Sequence, residues 1–177
     1  LTSFTVNMGK PIGLSNMSMS AWNKVFSRAS ILSSTKNSII AGLAAAFFGI
    51  VISCIMAYLL QRTNVKGKRI PDFLITLGSG TPSVTIALAL IISMSGKFKI
   101  NIYNTLTIMI IAYMIKYMLM GMRTVVSAMS QVHPSLEEAA QISGANWLRM
   151  LKDVTLPLIG ASIVAGFFLI FMPSFYE

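Results

Sequence analysis

Four long apolar stretches alternate with shorter polar segments along this chain, and their lengths predict helices that cross a lipid bilayer. They occupy residues 39–60, 71–94, 102–122 and 156–177. A helix rises about 1.5 Å per residue, so about 20 apolar residues are enough to cross a hydrocarbon core of about 30 Å. Small residues recur at helical spacing in the first stretch, which predicts close contacts with neighbouring helices. The pattern predicts an all-α, polytopic transmembrane bundle.

The composition of the chain supports a lipid environment. Hydrophobic residues make up 55 % of the 177 residues and charged residues 11 %, with a mean hydropathy of +0.74. Soluble domains average about 25 % charged residues. The net charge of +9 does not indicate a nucleic acid partner, because the basic residues do not alternate with aromatic ones along a polar face. Cys54 and His133 are the only residues of their types, so we expect no disulfide within the chain, no metal site and no cofactor.

Basic residues are concentrated in the connections that follow the first and third apolar stretches. These connections contain Arg62, Lys66, Lys68, Arg69, Arg123, Arg149 and Lys152. Because cytoplasmic loops carry an excess of Lys and Arg, both connections are predicted to lie in the cytoplasm of a multi-pass cell membrane protein. Residues 1–37, with at most a weak amphipathic helix between positions 17 and 31, then lie outside. Residues 38–177 form the transmembrane domain, with 123–155 as a cytoplasmic loop.

The second apolar stretch is interrupted by the sequence "GSGTP", which contains Gly78, Gly80 and Pro82. Such residues are tolerated at membrane depth where protein or a water-lined cavity satisfies the freed backbone groups. Two interpretations stay open at this point. The interruption is either a packing kink or a broken helix that lines a transport pathway, as in many transporters.

Lys116 lies in the inner part of the third apolar stretch. Charged residues within a membrane are candidates for a functional role. A lysine near the end of a span can also extend its amino group to the interface. Both interpretations, snorkelling and a place in the pathway, stay open.

A compact polar segment, "LEEAAQISGANWLRMLKDVTLP", separates the third and fourth stretches. Ser135 and Glu138 have the spacing of a capping box, which predicts that a helix begins with Ser135 as its N-cap. Gly144 fits the left-handed residue that ends such a helix. A second amphipathic piece around Trp147 completes a predicted helix-turn-helix on the membrane surface, and Pro157 suits the first turn of the last span.

The same segment resembles the signature of permease subunits of binding-protein-dependent ABC importers. That signature is Glu-Ala-Ala, three residues, Gly, nine residues, an aliphatic residue, one residue and Leu-Pro. The chain has Glu138, Ala139, Ala140, Gly144, Val154, Leu156 and Pro157 at these positions. The segments "HPSLEEAAQISGANW" and "FMPSFYE" are most similar to the corresponding sequences of permeases of the ferric-iron type.

The resemblance implies a permease of the type I ABC importer kind, in which this segment is the coupling helix that docks on an ATPase. Glu138, Ala139, Ala140, Gly144, Leu156 and Pro157 are then the coupling residues. A binding protein, an ATPase and a second permease half or subunit are the implied partners, and the chain is expected to be a C-terminal half cut at both ends. No Gly-x-x-x-x-Gly-Lys-Ser/Thr motif occurs, so we expect no catalytic residue here and ATP hydrolysis by the partner.

Two other classes of protein remain as alternatives on the residues alone. One is a stand-alone secondary transporter or channel, with Lys116 or the interruption at Gly78–Pro82 as its site. The other is a membrane scaffold that transports nothing.

Overall fold

The computed structural model describes residues 18–95 and 102–177, and all regular elements in these ranges are helical. This confirms the all-α prediction. The chain forms two compact units, Leu1–Ile39 and Ile40–Glu177. The helices are α1 (Ser20–Ser27), α2 (Ala29–Arg62), α3 (Arg69–Gly80), α4 (Ser83–Met94), α5 (Leu106–Gln131), α6 (Pro134–Ile142), α7 (Trp147–Met150) and α8 (Leu156–Tyr176), with a π-helical turn, Leu151–Thr155, between α7 and α8.

Three helical segments in the described ranges are long and apolar enough to cross a membrane. They are α2 with 34 residues, α5 with 26, and the uninterrupted run Trp147–Tyr176 with 30. Helices α3 and α4 have 12 residues each and meet at a bend of 110°. A 12-residue helix is only about 18 Å long, so neither crosses a hydrocarbon core alone. The pair is a broken span or a re-entrant element.

The helices extend beyond the apolar stretches that the sequence marks. Helix α2 begins at Ala29 rather than at residue 39, after extended backbone at Arg28. Helix α5 continues past residue 122 to Gln131. The weak amphipathic helix expected between positions 17 and 31 is present as α1 over Ser20–Ser27, and the rest of the predicted outer segment, residues 1–17, lies outside the described residues.

Helices α2, α5 and α8 enclose the core through small residues. A Cβ atom on Gly166 of α8 would lie 3.3 Å from both the Cα and the carbonyl oxygen of Gly121 on α5, and 2.8 Å from Ile50 Cδ1 on α2. The small residues of α2 are buried, which confirms the predicted close contacts; they are Ala41, Gly42, Ala45, Ala46 and Gly49. Buried apolar side chains form two clusters in this core, one around Tyr113 and Ile170 and one around Val125 and Ile159.

One end of the bundle contains several polar contacts between helices. At this end, called the α6 end below, α2 and α5 end and α3 and α6 begin. Lys68 donates hydrogen bonds from Nζ to the carbonyl oxygens of Leu60, at 2.7 Å, and Thr63, at 2.6 Å. An ion pair joins Arg123 Nη2 to Asp72 Oδ1 at 2.9 Å, between α5 and the first turn of α3.

Candidate functional site: the coupling segment and the broken span

The start of α6 differs from the predicted capping box. His133 is the N-cap, and its ring nitrogen Nδ1 accepts a hydrogen bond at 3.2 Å from the backbone N–H of Ser135. Pro134 occupies the first helical turn, where its fixed φ suits the helix and its missing N–H is not needed. Ser135 therefore lies inside the helix, and its prediction as the N-cap partner of Glu138 is wrong.

The end of α6 is as the sequence predicts. Gly144 has φ +88°, in the left-handed region that favours glycine. Its N–H donates to the carbonyl of Gln141, and the N–H of Ala145 donates to the carbonyl of Ala140, at 2.9 and 3.0 Å. These two bonds form a Schellman motif, which satisfies carbonyl groups that the helix end would leave without partners. Gly144 is required here by the backbone conformation.

The signature residues of α6 face the solvent. Glu138, Ala139 and Gly144 are exposed, and Ala140 is half-buried. Large apolar side chains lie exposed beside them, with Ile142 at 88 % and Leu148 at 68 % of their full accessible area. We call this set the α6 surface; it consists of Glu138, Ala139, Ala140, Ile142, Gly144 and Leu148.

The other two predicted coupling residues, Leu156 and Pro157, lie in the first turn of α8. Proline has no N–H, and its ring crowds the carbonyl four residues earlier, which here belongs to Asp153. The backbone avoids this clash by forming the π turn. In it the N–H of Leu156 donates to the carbonyl of Leu151, five residues earlier. The helix passes through this turn without a stop. The second piece of the predicted helix-turn-helix is therefore the beginning of the last span, not a separate surface helix.

Glu137, which sequence reasoning did not single out, is the buried acid of this segment. It is only 7 % exposed. Its Oε2 atom accepts from Arg62 Nε at 3.0 Å, and its Oε1 atom accepts from Thr155 Oγ1 at 3.0 Å. Arg62 Nη2 also donates to the carbonyl of Val132 at 2.7 Å. We call Arg62, Val132, Glu137 and Thr155 the Glu137 node. No sequence spacing predicts that Glu137 rather than its neighbour Glu138 is buried. The position of Arg62 in the folded chain decides this.

The break between α3 and α4 follows from Pro82. A residue before proline is pushed out of the helical region, and Thr81 is accordingly extended, with φ −76° and ψ 139°. Gly78 packs on α5, because a Cβ atom there would lie 2.9 Å from Ile115 Cγ2 and 3.1 Å from its carbonyl oxygen. Gly80 has no such neighbour within 4 Å. The interruption is thus a break of the helix and also a site of close packing.

Lys116 reaches into this break. Its Nζ atom donates to the carbonyl oxygens of Thr81, at 2.7 Å, and Ser79, at 3.1 Å. Both of these acceptors are backbone carbonyl groups at the end of α3. The same side chain lines a cavity of about 340 Å³ together with Ser83, Tyr113 and Glu177. Gly78, Gly80 and Pro82 are not among the residues that line it.

These features define a class of protein: a multi-pass membrane protein, all-helical in the described residues, with a sharply bent helix pair and a short exposed helix at one end. The chain belongs to the family described as binding-protein-dependent transport system inner membrane component, whose model matches residues 49–177. The matched region includes helix α6, the turn that follows it and the beginning of α8.

Named relatives are permeases of several transport systems. The chain is 28 % identical over 173 residues to the sulfate transport system permease protein CysT of Salmonella typhimurium, covering 93 % of this chain and 62 % of that protein. It is 29 % identical over 170 residues to the putative ferric transport system permease protein FbpB 1 of Haemophilus influenzae, covering 93 % and 26 %. It is 29 % identical over 143 residues to the trehalose/maltose permease MalG of Thermococcus litoralis, covering 80 % and 50 %. The chain thus spans less than two thirds of these relatives.

Proposed function

We propose that this chain is a permease unit of an ATP-driven importer and that a partner ATPase docks on the α6 surface. The observation that carries the proposal is the exposure of Ile142 and Leu148 beside the signature residues Glu138 and Gly144. Apolar side chains grouped on a surface and bordered by polar ones are typical of protein interfaces. The spacing from Glu138 to Pro157 supports the same partner.

The transport mechanism that fits is alternating access. A binding protein delivers the solute, a second permease half or subunit completes the pathway, and the ATPase hydrolyses ATP. Binding of ATP favours one state of the paired ATPases, and a permease attached to them shifts its own equilibrium only through this difference in affinity. Gly78, Gly80, Pro82 and Lys116 are proposed to belong to or support the pathway, because they form the broken span or line the cavity beside it.

For the substrate we propose ferric iron first and sulfate second. The sequences "HPSLEEAAQISGANW" and "FMPSFYE" support a ferric-iron permease, as does the ferric relative of Haemophilus influenzae at 29 % identity. Sulfate is supported by CysT, which matches at 28 % over a larger share of its own length. Uptake of radiolabelled ferric iron and of radiolabelled sulfate, each driven by ATP, separates these two candidates.

The docking proposal is tested with Gly144→Trp. A Cβ atom on Gly144 meets no atom of this chain within 4 Å, so the bulk of the new side chain meets a partner's surface, and the strain at its left-handed backbone is matched in the control variant below. We expect the ATPase that copurifies with the permease, and ATP-driven uptake, to fall by about tenfold, which corresponds to about 1.4 kcal/mol of binding free energy. The permease itself should remain in the membrane at its usual level.

Gly67→Trp is the matched control. Gly67 also lies at the α6 end and has φ +87°, so the same backbone strain is introduced outside the α6 surface. Normal uptake and ATPase binding by Gly144→Trp would contradict the docking proposal. Uptake that needs no ATPase and follows an ion gradient would instead support a stand-alone secondary transporter.

A further inference from the structure

Helix α6 is attached to the rest of the protein through few side chains. It has nine residues, and Glu137 is the one that is buried. A second link runs from Gln141 Nε2 to the sulfur of Met150, at 3.2 Å, but a thioether is a weak acceptor. Bonds between ionised groups are roughly twice as strong as neutral ones. The firmest link between α6 and the bundle is therefore the carboxylate of Glu137.

The Glu137 node connects α6 to three other segments at once. Arg62, the last residue of α2, pairs with Glu137 and also holds the carbonyl of Val132, just after α5. Thr155, the last residue of the π turn, connects Glu137 to the beginning of α8. A displacement of α6 is thus passed to α2 and α8 through separate oxygen atoms of one carboxylate.

Burial makes this connection stiff. The side chains of Arg62 and Glu137 are each 9 % exposed. A buried charge that loses its partner is left uncompensated, so the pair resists separation more than a surface ion pair would. The Arg123–Asp72 pair at the same end is more exposed and joins α3 to α5 without touching α6.

We propose that Glu137, Arg62 and Thr155 are positioning residues that transmit the movement of the docked ATPase from α6 to the spans α2 and α8. This inference rests on the proposed function. It divides the two neighbouring acids by role: Glu138 faces the partner, and Glu137 passes the displacement into the membrane. If the contacts of Glu137 only stabilised the fold, their loss would not change the effect of ATP on the spans in an assembled transporter.

The test uses the assembled transporter, purified through a tag on this chain, with Cys54→Ala and a reporter at Val84→Cys. Val84 is 72 % exposed and follows the break, beside the cavity at Lys116. The probe is a maleimide, and the rate of labelling is measured with and without ATP. In the parent we expect ATP to change this rate by about fivefold or more, and in Arg62→Gln by less than about twofold, while the ATPase stays bound.

Asp72→Asn is the matched control, because it removes the ion pair at the same end that does not involve α6. It should keep the full ATP effect. An ATP effect of parental size in Arg62→Gln, with the ATPase bound, overturns the inference and leaves the docking proposal in place. An ATPase that does not bind the parent chain overturns the proposed function, and the inference falls with it.

Two further variants decide the matter if Arg62→Gln does not reach the membrane. Thr155→Val keeps the ion pair and the shape of the side chain but removes the hydrogen bond to Glu137. We expect it to insert normally and to lose most of the ATP effect on labelling. The double variant Arg62→Glu with Glu137→Arg restores an ion pair and should recover part of that effect. A parental ATP effect in Thr155→Val overturns the inference.

Discussion

Lys68 and Lys116 each direct an amino group at two backbone carbonyl oxygens where a helix ends. Lys68 satisfies carbonyls at the end of α2, and Lys116 those of Ser79 and Thr81 at the break after α3. The last carbonyls of a helix have no partner within it and carry the negative end of the helix dipole, which favours a cation there. Lys116 thus satisfies two carbonyl groups that the break leaves without helical partners.

Replacement of Lys116 by methionine tests this role. Lys116→Met keeps a similar length but removes the donors, so two carbonyls at the break lose their partners. We expect the free energy of unfolding to fall by about 1–3 kcal/mol, measured by thermal unfolding in detergent. Lys152→Met, at an exposed lysine, is the matched control. Equal stability of both variants would show that the break does not depend on Lys116.

At the scale of single residues, the sequence predicted only those roles that local backbone geometry dictates. Gly144 was predicted as a helix end because the requirement for a left-handed residue is local. The roles of Glu137 and Lys116 were not predicted. Arg62 lies 75 positions from Glu137, and Ser79 lies 37 positions from Lys116, so only the folded chain brings these groups together.

At the scale of elements, glycines determine how closely the spans approach. Gly121 and Gly166 face each other across α5 and α8, and a Cβ atom on either would lie 3.2–3.3 Å from the other's backbone, closer than ordinary van der Waals contact. In a bilayer, where water does not drive helices together, such contacts supply much of the packing energy. The sequence predicted the small-residue pattern of α2, but which glycines of α5 and α8 meet depends on the crossing of the two helices.

Gly166→Ala tests this contact. The added Cβ atom would lie 3.3 Å from the backbone of Gly121, which cannot rotate away as a side chain can. Overpacking of this kind costs about 1–3 kcal/mol, so we expect a lower temperature of unfolding in detergent. Gly160→Ala, on the same helix but with no atom within 4 Å of its Cβ, is the control and should unfold at or slightly above the parent's temperature, because alanine favours a helix by about 1 kcal/mol over glycine. Matching unfolding temperatures would exclude the tight contact.

The break between α3 and α4 shows what a proline motif can predict for an element. Pro82 predicted an interruption, and the structure has one there. Its size was not predicted, since a proline in a helix is compatible with a mild kink or with a full stop. At this bend of 110°, Lys116 and the packing of Gly78 on Ile115 hold the end of α3 against α5.

At the scale of the whole molecule, we predict from charge that the α6 end of the bundle lies in the cytoplasm, which agrees with the proposed docking of an ATPase on the α6 surface. The connection from α2 to α3 is rich in basic residues, and it lies at the α6 end. The positive-inside rule predicts that this end lies in the cytoplasm, the compartment in which the proposed ATPase would bind ATP. We therefore expect the connection between α4 and α5 on the opposite side.

This orientation is tested with single cysteines in a Cys54→Ala background. Val65→Cys lies between α2 and α3, and Tyr103→Cys lies between α4 and α5; both side chains are exposed. A maleimide that does not cross membranes should label Val65→Cys in inside-out vesicles only, and Tyr103→Cys in intact spheroplasts only. The reverse pattern would place the α6 surface outside the cell and contradict the docking proposal as well.

The sequence by itself determined the helical class, the approximate positions of the apolar helices, the turn at Gly144 and the spacing of the family signature. Each of these depends on residues close together in the chain or on the bulk preference of apolar side chains for lipid. Only the tertiary structure decided that Glu137 and not Glu138 is buried, that Lys116 supports the break, and that α7 continues into α8. Burial and pairing of charges depend on groups that are distant in sequence, and these are set only when the helices pack.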